Sequence, residues 1–179
     1  MRVIILWTTL LMGLSIQANS VDLSKSDFTW KGTKITGEHF GKISLKEAKI
    51  ERNKDGSIQS ADFVMDMNSI KITDLSGEWA DKFISHIKSS DFFNVEKFPE
   101  ASLKILSVKG DTATANMTIK GKTNTVKFKF LEKGKNIKGV LNFDRTKFDM
   151  IYGSGNFFKN LGDKTIHDEV SVQFNVVTR

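Results

Sequence analysis

From Ala61 to Val176 most of the chain alternates apolar and polar residues with a period of two. "ADFVMDMNSI" puts Phe63, Met65 and Met67 on one side, with Val64 and Asp66 on the other. "ASLKILSV" aligns Ala101, Leu103 and Ile105, and "ATANMTIKG" aligns Ala113, Ala115, Met117 and Ile119. "VKFKFLE" sets Val126, Phe128 and Phe130 against Lys127 and Lys129, and "EVSVQFNVV" aligns Val170, Val172, Phe174 and Val176. Such alternation predicts strands with one buried face. The links between them, "NKDG" at Asn53 to Gly56, "KGD" at Lys109 to Asp111, "GKTN" at Gly121 to Asn124 and "EKGKN" at Glu132 to Asn136, are short turns that join neighbours antiparallel.

One segment has a different period. In "GEWADKFISHIKSS" the residues Trp79, Phe83 and Ile87 recur every four positions, with Ile84 beside them, which predicts a helix from about Glu78 to Ser89. The next stretch, "SSDFFNVEKFPE", fits neither period. Phe92 and Phe93 are adjacent, and Phe98 precedes Pro99, the only proline in the chain. About eight short strands and one helical excursion, with no repeat or long linker, predict an all-β antiparallel barrel or sandwich. The faces that would point inward mix Phe, Met, Ile and Val with Ala while their opposite faces are polar, which favours an eight-stranded barrel. Such an interior is just wide enough to be filled or to hold one slender ligand. Flexible Met65, Met67, Met117 and Met150 suit either outcome.

The first twenty residues are set apart from this pattern. Arg2 is followed by an apolar run from Val3 to Leu14 and then by Ala18, Asn19 and Ser20, the order of a secretory signal peptide. Cleavage after Ala18 or Ser20 would leave one domain, 21–179, in the periplasm or secreted, with no stable membrane span. No cysteine is present, which excludes disulfides, thiol chemistry and a lipidated N-terminal cysteine. The formal charge of +6, or +5 without Arg2, comes from lysines interleaved with acids, so no concentrated stripe for nucleic acid forms.

"SSDFFNVEKFPEASLKI" resembles a signature of the YceI-like family, lipocalin-like polyisoprenoid-binding proteins of bacterial envelopes. "ANMTIKGKTNTVKF" is similar to that family's strand, Thr-Ile-basic-Gly turn and returning strand. "FDRTKFDMIYGSGNFFKNLGDKTIHDEVSVQFNV" resembles its C-terminal third, and "SDFTWKGTKITGEHFGKI" its opening hairpin. The resemblance runs from about Val21 to Thr178, with departures at the opening strand and at the "YGSGNFFKNLGDK" insertion. It implies an eight-stranded lipocalin-like barrel whose tunnel takes an isoprenoid lipid of the polyprenyl phosphate or quinone type for carriage or storage. The helix and the following segment would then cover the open side. Trp30, Trp79, Phe83, Ile87, Phe92, Phe93, Phe98, Phe143 and Phe148 would join the inward strand residues above as cavity and lid. Asp91, Glu96 and Lys97 would stay wet.

Catalytic chemistry has no clear carrier. His39, His86 and His167 lie far apart, so no metal site or catalytic set is expected. "YGSGN" departs from the nucleophile-elbow spacing around Ser154 and reads as a flexible loop. Asp144, Asp149, Asp163 and Glu169 read as turn or solvated residues. A binding site needs only an apolar cavity and a few polar groups at its mouth. Arg145, between Phe143 and Phe148, and Lys82, His86 and Lys88 are the candidate head-group donors. The expectation is therefore a lipid-binding, non-enzymatic barrel with no cofactor beyond its lipid, and with a dimer left open. The rival readings are an enzyme acting on a hydrophobic substrate in the same cavity and a filled barrel that binds proteins through its surface.

Overall fold

The structure is a computed structural model describing residues 17–179. Most of the leader expected over residues 1–20 lies outside the described residues. The elements run β1 (Gln17–Ser20), β2 (Asp27–Lys34), β3 (Gly37–Arg52), β4 (Ile58–Ile72), α1 (Gly77–Lys88), β5 (Glu100–Lys109), β6 (Thr112–Ile119), β7 (Lys122–Lys133), β8 (Asn136–Asp144) and β9 (Ile166–Val177). β2 to β9 pair in the order β3-β2-β9-β8-β7-β6-β5-β4, and β3 pairs with β4 to close the circle. The expected eight-stranded antiparallel barrel with one helix is the fold. β1 is a short extra strand lying ahead of β2 along the same edge of β3.

Closure requires bent strands, and β3 and β4 pair with three register shifts, two of them within the body of the ladder. The register shifts between Leu45 and Glu47, so Leu45 and Ile50 are both buried although their spacing is odd. In β4 the residues around Asp66 to Ile70 bulge from the ladder. There Ser69 Oγ accepts the Ser44 N–H at 2.8 Å and donates to the Asp66 carbonyl at 2.6 Å, restoring partners the ladder lost. Bulges of this kind coil a strand and change which residues face inward.

The two ends of the barrel differ. At one end lie the β2–β3 turn, α1 with the 89–99 segment, the β6–β7 turn and the long β8–β9 loop. At the other, the hairpin turns are short, and Arg52 reaches across to Glu132 on β7, which is not a neighbour of β3 in the barrel. The pair is two-pronged, at 2.5 and 3.2 Å, and Arg52 also donates to the Gly56 carbonyl at 2.8 Å. Val21, Ile50, Ile137 and Val176 are buried near this end, and the pair straps β3 to β7 across it.

Gly41 in β3 sits where no side chain fits. A Cβ there would lie 1.8 Å from the Lys71 carbonyl oxygen and 2.7 Å from Trp30 Cζ2. Trp30 lies flat over β3 and donates its indole N–H to Lys71 O at 3.2 Å. Gly41→Ala must therefore spread β3 from β4 and shift the indole as well, and should cost about 1 to 3 kcal/mol. Chemical denaturation measures it; an unchanged midpoint would contradict this packing.

Candidate functional site: an apolar cavity and its mouth

A cavity of about 400 Å³ runs inside the barrel. Its wall extends from Ile58, Val108, Ile137 and Val176 near the strapped end to Phe83, Ile87, Phe92 and Phe93 at the other. Ile166 and Val176 of β9 both line it, a span of about 33 Å along the strand. At the usual barrel tilt that is roughly 25 Å along the axis. The wall is almost wholly hydrocarbon, so polar solvent has few partners inside, and a cavity of this kind stays dry.

Most of the inward residues expected from the alternation line this space: Phe63, Met65 and Met67 on β4, Leu103 and Ile105 on β5, Met117 and Ile119 on β6, Phe128 and Phe130 on β7, Phe143 on β8, and Val172 and Phe174 on β9. Ala115 and Val126 do not, nor does Phe148, which the resemblance places there. Val126 packs against the core from a half-buried position, and Phe148 is 1% exposed, edge-on to Phe143 at 5.7 Å. Reading by alternation missed Phe28, Ile43, Ile50, Ile58, Ile137 and Leu141, which also line the wall. For Ile43 and Ile50 the bulge in β3 hides the period. Ile137, Leu141 and Phe143 keep a strict period of two in "NIKGVLNFD", a signal that was present to be read.

The helix lies across the mouth. Phe83 stacks on Trp30 with centroids 6.2 Å apart and planes 4° from parallel, and packs on His39 at 4.7 Å. His39 Nδ1 is 2.8 Å from Asp74 Oδ2, and Asp74 also accepts the Phe40 N–H at 2.9 Å. Burial works to raise the Asp74 pKa, but the Phe40 N–H and the His39 hydrogen bond outweigh it, leaving the carboxyl below its ordinary value. These contacts tie the approach to α1 onto β3. Glu78 in the first turn and His86 and Lys88 in the last suit the helix dipole.

The segment after α1 is a compact turn. Phe93 N–H donates to Ile87 O at 3.1 Å, Asn94 N–H to Ser89 O at 2.8 Å, Val95 N–H to Lys88 O at 2.9 Å and Phe98 N–H to Asn94 O at 2.9 Å. Asn94 takes the left-handed conformation that reverses the chain, at φ 48°. Phe92 and Phe93 face the cavity, and Asp91, Glu96 and Lys97 are exposed. Phe98 does not line the cavity. It lies against the β6–β7 turn, its Cε1 within 3.0 Å of where a Cβ on Gly121 would stand, with Lys97 Nζ 5.4 Å over its ring. Buried Val95, unremarked in the sequence, fills the underside.

Arg145 has no donor left for a head group. Its Nε donates to His167 O at 3.0 Å, Nη1 to Met150 O and to Tyr152 O at 2.9 Å, and Nη2 to Ile166 O at 3.1 Å and to Asp168 Oδ1 at 3.2 Å. All five N–H groups of a guanidinium are thereby used. Burial pulls its pKa down, and Asp168 and Asp144 oppose that. The guanidinium staples the long β8–β9 loop to β9.

Ser154 belongs to the same cluster. Fully buried, it donates to Asp168 Oδ2 at 2.9 Å, and Asn156 Nδ2 donates to that oxygen at 2.7 Å. The "YGSGN" stretch is thus an anchored turn rather than a flexible one, and its serine is paired with a carboxylate, not an imidazole.

The other expected donors divide. Lys88 lines neither the cavity nor the depression beside it and donates to Asn68 O at 2.8 Å. Trp79 is 74% exposed and stands outside the cavity, on the shallow depression beside its mouth. That depression is formed with Lys82, His86, Leu75 and Lys34, and it shares Lys34, His39 and Phe83 with the cavity wall. His86 meets Phe92 and Tyr152 edge-on at 5.0 and 4.7 Å, with Nε2 3.1 Å from Asp91 Oδ2. An apolar tunnel therefore opens beside a shelf whose surface is mostly hydrocarbon and whose residues include Lys34, Lys82 and His86. Among the described residues no group of three His, Cys, Asp or Glu is placed to hold a metal ion, and no helix is long and apolar enough to cross a membrane.

A family model for the YceI-like domain matches residues 19–178. No curated protein matches the chain. BcnA of Burkholderia cenocepacia is 23% identical, with a TM-score of 0.67 over 89% of this chain and 100% of its own. A polyisoprenoid binding domain from Saccharophagus degradans, implicated in plant cell wall breakdown, is 11% identical, with a TM-score of 0.61 over 92% of this chain and 99% of its own. A Campylobacter jejuni YCEI protein is 15% identical, with a TM-score of 0.53 over 76% of this chain and 84% of its own.

Proposed function

This chain belongs to the YceI-like domain family, and on that premise we propose that it is an exported binding protein holding one long isoprenoid lipid in its barrel for carriage or storage. The observation that carries the reading is the hydrocarbon-lined cavity running nearly the full length of the strands. A methylene moved from water into such a wall contributes about 0.8 kcal/mol, so each five-carbon isoprene unit is worth roughly 3 to 4 kcal/mol gross. The tail supplies affinity, and the head rests on the shelf at Lys34, Lys82 and His86 with its polar atoms towards water. A polyprenyl phosphate suits the two lysines; a quinone ring suits the neighbouring aromatics. The structural neighbour described as polyisoprenoid binding supports the ligand class. The leader-like start of the chain supports export to the periplasm or beyond.

Organic extraction and mass spectrometry of protein purified from the envelope without detergent should recover about one isoprenoid lipid per chain. Delipidated protein should take up a polyprenyl phosphate or a quinone added from ethanol. An empty extract together with failed uptake of both probes would overturn the reading.

A further inference from the structure

Exposed large apolar side chains occur singly along the barrel wall, at Leu106, Leu131 and Val140, but four of them stand on the connections at the cavity's open end. Ile35 at the tip of the β2–β3 turn is 58% exposed, Trp79 on α1 74%, and Phe157 and Phe158 on the β8–β9 loop 55% and 45%. These elements adjoin one another. The Ile35 N–H donates to Thr165 O at 3.2 Å, which joins the turn tip to the base of the loop. Lys34, next to Ile35, shares the shelf with Trp79 and Lys82. Each apolar tip also has a lysine nearby in the chain: Lys34 by Ile35, Lys159 by Phe158, and Lys164 across the loop. Lys82 holds its ammonium 5.6 Å from the Trp79 ring. The acids at this end are mostly paired: Glu78 with Lys82, Glu38 with Lys31, Asp74 with His39 and Asp91 with His86, beside Asp163 on the loop; Asp81 lies on the opposite side of α1 from Trp79. The turns at the strapped end, "NKDG", "KGD" and "EKGKN", carry lysines but no large apolar tip.

We propose that this rim is a docking surface for an anionic lipid bilayer, with Ile35, Trp79, Phe157 and Phe158 entering the headgroup layer and Lys34, Lys82, Lys159 and Lys164 meeting its phosphates. A Trp and Phe tip flanked by lysines matches the interfacial zone, where aromatic bodies reach the acyl boundary and cations stay with the headgroups. The position follows from the lipid-carrier reading, on which this inference rests. A guest leaving a membrane for the cavity needs a route that avoids water, and the rim places the mouth against the bilayer.

The test uses delipidated full-length mature protein and vesicles free of isoprenoids, so docking is read apart from cavity loading. Wild type should float with phosphatidylcholine–phosphatidylglycerol vesicles and much less with phosphatidylcholine alone. Trp79→Ser/Phe157→Ser/Phe158→Ser should lower partitioning at least about tenfold. Lys34→Glu/Lys159→Glu/Lys164→Glu should lower it similarly and remove its dependence on salt. Leu131→Ser, which removes an equally exposed leucine from the barrel side, should leave it unchanged. Uptake of a polyprenyl phosphate from ethanol should remain normal in Phe157→Ser/Phe158→Ser, whose residues line neither the cavity nor the shelf. Wild-type protein that fails to float, or rim variants that float as wild type does, would overturn the docking surface; normal uptake from ethanol in that case would leave the carrier reading standing.

Discussion

Arg145→Met should destabilise the protein by about 3 to 5 kcal/mol, because it removes one partner of a buried, hydrogen-bonded ion pair and leaves the other behind. Methionine fills similar volume, so the loss is not one of packing. Five N–H donors disappear at once, from the carbonyls of Met150, Tyr152, Ile166 and His167 and from Asp168 Oδ1, leaving the Asp168 charge with only Ser154 and Asn156 as partners. Adding Asp168→Asn should recover only a minor part, since the four carbonyls still lack donors. Arg145→Lys keeps the charge but offers three donors without the planar fork, and should fall between. Urea denaturation gives the magnitudes, and limited proteolysis should cut first within residues 149–165. If Arg145→Met were within about 1 kcal/mol of wild type, the staple would be ornamental and the guanidinium would again be free for a ligand.

Met117→Trp should abolish lipid retention while leaving the barrel folded. Met117 is half-buried on β6, paired with Leu103 across the ladder, and faces the cavity partway along it. An indole there occupies the space a guest chain would thread. Overpacking ordinarily costs about 1 to 3 kcal/mol, but here the ring enters a void rather than a filled core, so the cost should sit at the low end. Excluding even five methylenes from the tunnel removes about 4 kcal/mol of transfer energy, roughly a thousandfold in affinity. Lipid-to-protein ratio after extraction measures the first effect, and the thermal midpoint without lipid the second. An unchanged ratio with an unchanged midpoint would mean that the guest does not pass Met117.

Much of the barrel could be read from the chain because its period is plain where the ladder is regular. Phe63, Met65 and Met67, or Val170, Val172 and Phe174, keep strict alternation and line the cavity together. β3 resisted, since the register shift after Leu45 moves the inward set from odd to even positions, and bulges are specified by paired strands rather than by one sequence. Arg145 was misread for a related reason. A charged residue between two buried aromatics signals burial but not its partners, and four of these are backbone carbonyls, which every sequence contains. Asp168 carried only a faint mark, an acid opening the last strand. Phe98 was grouped with Phe92 and Phe93 by composition. Its direction was set by the left-handed Asn94 and by the room that Gly121 leaves, neither of which a periodicity records.

The strap between Arg52 and Glu132 has a kinetic consequence. With this pair strapped across one end of the bore, a guest is expected to back out along the path by which it entered, tail last. Each methylene withdrawn is rewetted at about 0.8 kcal/mol, which slows escape into water roughly fourfold. Residence time should therefore climb geometrically with chain length until the tail meets the strap, and then stop climbing. The length at which it levels off would measure the depth of the bore, with the protein serving as its own molecular ruler.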